Sequence, residues 1–145
     1  MKENTSGCEC SAAPTLIFPC SGAADVGEIA DRIARKLTRD GVGTIFCLAG
    51  VGVGLSGFIG SAKAARINIT IDGCPTACSR KVFENIGLEP QSFILTDMGL
   101  VKGKTPVDDH VIQELSEAIK KTLTEGNVNA THEKSISKTG GCCSS

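Results

Sequence analysis

The stretch INITIDGCPTAC, residues 67–78, decides the fold. INITI (67–71) reads as a short buried strand and ends in Asp72-Gly73, a tight-turn pair. Two cysteines follow, Cys74 and Cys78, with Pro75 between them. Proline suits the first turn of a helix, where its missing N–H does no harm. The stretch therefore reads as strand, turn, helix, with the helix running to about Ile86 and stopping at Gly87.

The same alternation extends in both directions. Upstream, TLIF (15–18) is strand-like, and Val26, Ile29, Ala30, Ile33, Ala34 and Leu37 recur at helical spacing. Asp25, with Glu28 three residues on, resembles a capping box, and Gly41 is the stop. TIFCLA (44–49) reads as a second buried strand, followed by a glycine-rich turn and a helix over roughly 56–66. Downstream, SFILT (92–96) is a fourth strand, and Val111, Ile112, Leu115, Ala118, Ile119 and Leu123 mark a last helix from Pro106 to Glu125. Strands alternating with helices predict a parallel sheet covered on both faces. The expectation is a small three-layer, Rossmann-like α/β domain over residues 14–126, with a four-stranded, mainly parallel sheet. The expected strand order is 2-1-3-4, with 3-2-1-4 as the alternative. Polar segments 1–13 and 127–145 are expected to be flexible tails.

Composition narrows the function. A net charge of −1 gives no global field toward nucleic acid or anionic lipid, and five Phe with no Trp or Tyr leave few platforms for stacking bases. No apolar run approaches the roughly 20 residues of a membrane helix, and the polar start MKENTSGCEC has no signal-peptide core. The expected location is the cytoplasm. Eight cysteines in 145 residues are many, and in a reducing compartment they point to metal binding or thiol chemistry rather than disulfides.

Four of them share a position in the pattern. Cys20 follows the first strand, Cys47 lies near the end of the second, Cys74 follows the third, and Cys78 sits one helical turn later. In a parallel sheet these strand ends lie along one edge, where open α/β sheets bind ligands. Helix N-termini favour thiolates, the form a soft metal takes. Four thiolates complete a tetrahedral zinc site, and the same geometry admits an iron–sulfur cluster. The bland alternative, strongest for Cys47, is a cysteine packed as a small core hydrophobe.

Asp72-Gly73-Cys74 with Cys78, together with Cys20-Ser21-Gly22 and Cys47-Leu48-Ala49-Gly50, resembles the DGC-domain family, named for its Asp-Gly-Cys motif. The resemblance spans about residues 15–125 and implies zinc on Cys20, Cys47, Cys74 and Cys78. The expected partner is then a metal ion, in a structural, regulatory or metal-carrying role.

Two other functions compete. One is a thiol enzyme handling sulfur or electrons, with Cys74 or Cys78 as nucleophile, although three residues separate the pair where a redox CxxC has two. The other is a nucleotide-dependent oxidoreductase using Gly52-x-Gly54-x-x-Gly57, with Asp72 as the acidic partner. Cys8, Cys10, Cys142 and Cys143 are peripheral or form thiol arms. His110 and His132 have no motif tying them to a cysteine. Asp97, on the same edge, is a turn residue or an outer acceptor.

Overall fold

A computed structural model of the chain describes residues 13–130. Cys8, Cys10, His132, Cys142, Cys143 and nearly all of both expected tails lie outside the described residues. The elements are β1 (Thr15–Pro19), α1 (Asp25–Arg39), β2 (Thr44–Ile45), α2 (Leu48–Gly52), α3 (Ser56–Ala64), β3 (Ile67–Asp72), α4 (Cys78–Asn85), β4 (Gln91–Ile94) and α5 (Asp109–Ala130). All strand pairs are parallel, and the order is β2-β1-β3-β4. This is the expected α/β fold, and of the two strand orders considered it has 2-1-3-4.

Each face of the sheet buries its own core, which is why the strands read as nearly continuous apolar runs. On one face Ile17, Ile69, Ile71 and Phe93 pack with Ile29, Ile33 and Leu37 of α1 and with Ile112, Leu115 and Ile119 of α5. On the other, Leu16 and Phe18 pack with Val51, Ala62 and Phe83. There Phe18 meets Phe83 edge-on, with ring centroids 4.7 Å apart. No helix among the described residues is long and apolar enough to cross a membrane.

Four local expectations are corrected. Only Thr44 and Ile45 of TIFCLA are strand; the chain then coils into α2, and Phe46 turns to pack on Phe18 and Phe58. Pro75 is not in a helix. It is the second residue of a turn closed by the Ala77 N–H to the Cys74 carbonyl at 3.0 Å, and α4 begins only at Cys78. Asp25 is the first helical residue rather than the cap, which is Ala24, and its carboxylate binds elsewhere. Finally, α5 starts at Asp109 and continues past Glu125 to Ala130.

A charged cluster ties α1 to α5. Asp40 pairs with Lys120 of α5 and with Lys36 at 2.8 Å. Those two ammonium groups, Lys120 first, hold its carboxyl at about 2, down from 3.8. A lowered folded-state value contributes stability that is fully present above the unfolded value and is lost as pH falls through the folded one. Asp40→Asn should thus be less stable than the parent at neutral pH, and the difference should vanish as pH falls from about 4 to about 2. A gap that stays constant across acid melting curves would refute the assignment.

Candidate functional site

The strand order places a topological switch point between β1 and β3, because the chain leaves β1 for β2 on one side and builds β3 and β4 on the other. Ligands of open α/β sheets bind beyond the carboxyl ends of the strands at such a point. Cys20 directly follows β1, while Cys74 and Cys78 follow β3, so three cysteines flank it. Cys47 follows the edge strand β2 and is the N-cap residue of α2. It opens on a groove shared with Pro19 and Ser21, the two neighbours of Cys20. All four are free thiols; Cys47 and Cys78 are exposed, Cys20 and Cys74 half-buried. The exposure of Cys47 rules out the core-packing alternative for it.

Asp72 and Gly73 of the Asp72-Gly73-Cys74 motif have distinct mechanical roles. Asp72 is fully buried, and its two carboxylate oxygens accept the N–H groups of Ser79 at 2.8 Å and Arg80 at 3.1 Å. It therefore caps the start of α4 from the end of β3, which the N-cap residue Ala77 cannot do. Gly73 lies against α1: a Cβ there would sit 2.7 Å from the carbonyl carbon and oxygen of Val26. Its N–H points at the Cys20 sulfur, 3.5 Å away. Between the cysteines, Ala77 is held at φ 50°, left-handed backbone that costs an L-residue about 1 kcal/mol.

The thiols differ electrostatically. Burial raises the Cys20 thiol above its ordinary value, despite the N–H groups of Gly73 and Gly22; Asp72 and Cys78 lie close enough to add to the rise. This corrects the expectation that the nearby helix start lowers it. Cys74 is lowered instead, first by the Thr76 hydroxyl at 3.5 Å and the Thr76 N–H, and further by Lys102. The Lys102 Nζ lies 3.7 Å from the Cys74 sulfur.

In chemistry and location the donor set fits a soft cation: four free thiols on one functional edge, with N–H donors already directed at two of them. In arrangement it is not preassembled. Among the described residues no three His, Cys, Asp or Glu side chains converge tightly enough to hold a metal ion. The displacement of Cys74 into a turn, off the helix that would align it with Cys78, accounts for part of this.

The glycine motif does not form a dinucleotide loop. β2 ends at Ile45, α2 intervenes, and Gly52 lies within that helix. A Cβ at Gly57 would meet nothing within 4 Å, so no close packing demands glycine there. Asp72, the supposed ribose acceptor, is sealed under α4. Asp97 is an exposed turn residue, and His110 is 88% exposed beside Glu114. Lys102 and Thr76 were missed in the sequence. Thr76 lies inside the motif, but Lys102 is 28 positions from Cys74, in the loop before α5, and carries no signal.

Comparison with known proteins adds two findings. A family model described as DGC domain matches residues 16–119. The chain is also similar to the "Anaerobic and virulence modulator AnvM" of Pseudomonas aeruginosa, 30% identical over 88 residues that cover 60% of this chain and 67% of that protein. No solved structure matches it.

Proposed function

Because the chain belongs to the DGC domain family, and because three of its cysteines flank the switch point of the sheet, we propose that it is a zinc-binding protein, with Cys20, Cys47, Cys74 and Cys78 as ligands. The observation that carries this reading is the grouping of Cys20, Cys74 and Cys78 around the ends of β1 and β3. Zinc held by four thiolates has no open position, so it supplies folding energy, a regulatory signal or a carried ion rather than a hydrolytic step. A regulatory role accords with the relative's being named a modulator. Since no three donors converge, binding must draw the thiols together, and a reducing cytoplasm would keep them free.

The test is elemental analysis and absorption of protein purified without oxygen. About one zinc per chain and no colour are expected; a brown protein would replace zinc by an iron–sulfur cluster. Cys78→Ser should weaken zinc binding at least tenfold, about 1.4 kcal/mol. The metal-free variant should melt close to the metal-free parent, because Cys78 is exposed and belongs to neither core. Unchanged zinc content in Cys78→Ser removes that residue from the site.

One observation favours a second reading. The lowered Cys74 thiol, beside Thr76 and Lys102, has the surroundings of a reactive cysteine in sulfur transfer or redox chemistry. Protein without metal whose Cys74 is alkylated faster than Cys20, Cys47 and Cys78 would support it over zinc.

A further inference from the structure

We propose that Lys102 and Asp25 belong to the cysteine site as outer residues, Lys102 holding positive charge on the Cys74 sulfur and Asp25 positioning Lys102. The inference rests on the zinc reading.

A dication among four thiolates leaves two negative charges, and such centres are stabilised by N–H groups directed at their sulfurs. Cys20 receives one from its own scaffold, the Gly73 amide at 3.5 Å. Cys74 receives its ammonium from a distant part of the chain, Lys102 at 3.7 Å. Lys102 is exposed and lies between β4 and α5, in neither helix nor strand.

What fixes it is Asp25. Both carboxylate oxygens of Asp25 accept the Gly103 N–H at 2.9 Å, and one also accepts the Thr105 N–H at 3.2 Å. The loop is closed on itself as well: the Thr105 hydroxyl accepts the Val101 N–H and donates to the Val101 carbonyl, each at 2.9 Å. The peptide on either side of Lys102 is thus anchored, and the anchor is the first residue of α1. An exposed ion pair contributes little when both side chains must be ordered for it. Here the loop backbone is ordered in advance, which lowers that cost. This also gives Asp25 a role that the capping-box reading did not supply.

Outer partners of metal ligands change affinity by about 10–100-fold. Lys102 is exposed, so the low end applies. The experiment measures zinc affinity of the reduced full chain against a chromophoric chelator. Lys102→Met should bind about tenfold more weakly, and Lys102→Arg should stay within about twofold of the parent. Asp25→Ala should lose about three- to fivefold, and Asp25→Ala combined with Lys102→Met should be no weaker than Lys102→Met alone, because Asp25 acts through Lys102. Lys102→Met removes only an exposed side-chain end, so it keeps the test valid even where Asp25→Ala loosens the fold. Parent affinity in Lys102→Met, or additive losses in the double variant, overturns the inference while leaving the zinc reading intact. A parent that binds no zinc overturns both.

Discussion

Asp72→Ala should melt on the order of 10 °C below the parent, a loss of about 3 kcal/mol. The carboxylate is fully buried and accepts two backbone N–H groups in the first turn of α4. Hydrogen bonds to a charged acceptor contribute about 1.5–3 kcal/mol, and a buried donor left without a partner costs about 1–3 kcal/mol. Alanine removes both bonds, and Ala77 has no side-chain oxygen to replace them. Asp72→Asn keeps one acceptor but sets an amide nitrogen against the other donor, so it should recover only part of the loss. Urea and thermal unfolding of the three proteins decide the matter. A change under about 1 kcal/mol in Asp72→Ala would mean that α4 finds other caps and that the Asp of the motif is not its anchor.

Gly73→Val should be as damaging for a different reason. The atoms a Cβ would strike, the Val26 carbonyl and the Gly27 nitrogen at 2.7–2.9 Å, are backbone of α1 and cannot swing aside. Overpacking of this kind costs about 1–3 kcal/mol, more where the neighbour is rigid. Relief requires the end of β3 to move away from α1, which also lengthens the Gly73 to Cys20 contact and displaces Cys74. On the proposed zinc reading, metal affinity should therefore fall together with stability. The contrasting variant is Gly57→Ala, where a Cβ meets open space on α3 and the effect should be neutral or slightly stabilising. Equal losses at both positions would show that general glycine effects, rather than the contact with α1, are being measured.

These expectations divide according to what was readable from residues in order. The apolar spacing from Val26 to Leu37 placed α1 because a helix buries one stripe, and that stripe is written at a fixed period in consecutive residues. The strands were visible as short apolar runs because both faces of the sheet are covered. The position of Cys20, Cys74 and Cys78 at strand ends followed from that alternation, whereas the choice between the two strand orders was made only by the structure. Local chemistry misled where a residue's usual role was occupied by something distant. Asp25 looked like a cap, but its oxygens hold Gly103 and Thr105. Pro75 looked like a helix start, but it shapes the turn before one. Cys47 was placed near the end of a strand that has already given way before α2.

By itself the sequence determined the α/β class, the alternation of elements and the edge on which the cysteines stand, since these depend on periodic burial and chain direction. Tertiary structure alone decided which groups surround each sulfur: Gly73 against α1, Asp72 under α4, Lys102 on Cys74, Asp25 on the loop that carries Lys102. The Lys102 to Cys74 contact spans 28 positions and the Asp25 to Gly103 contact spans 78. Such contacts depend on where side chains from separate segments point once the sheet has formed, and no periodicity in the chain encodes that.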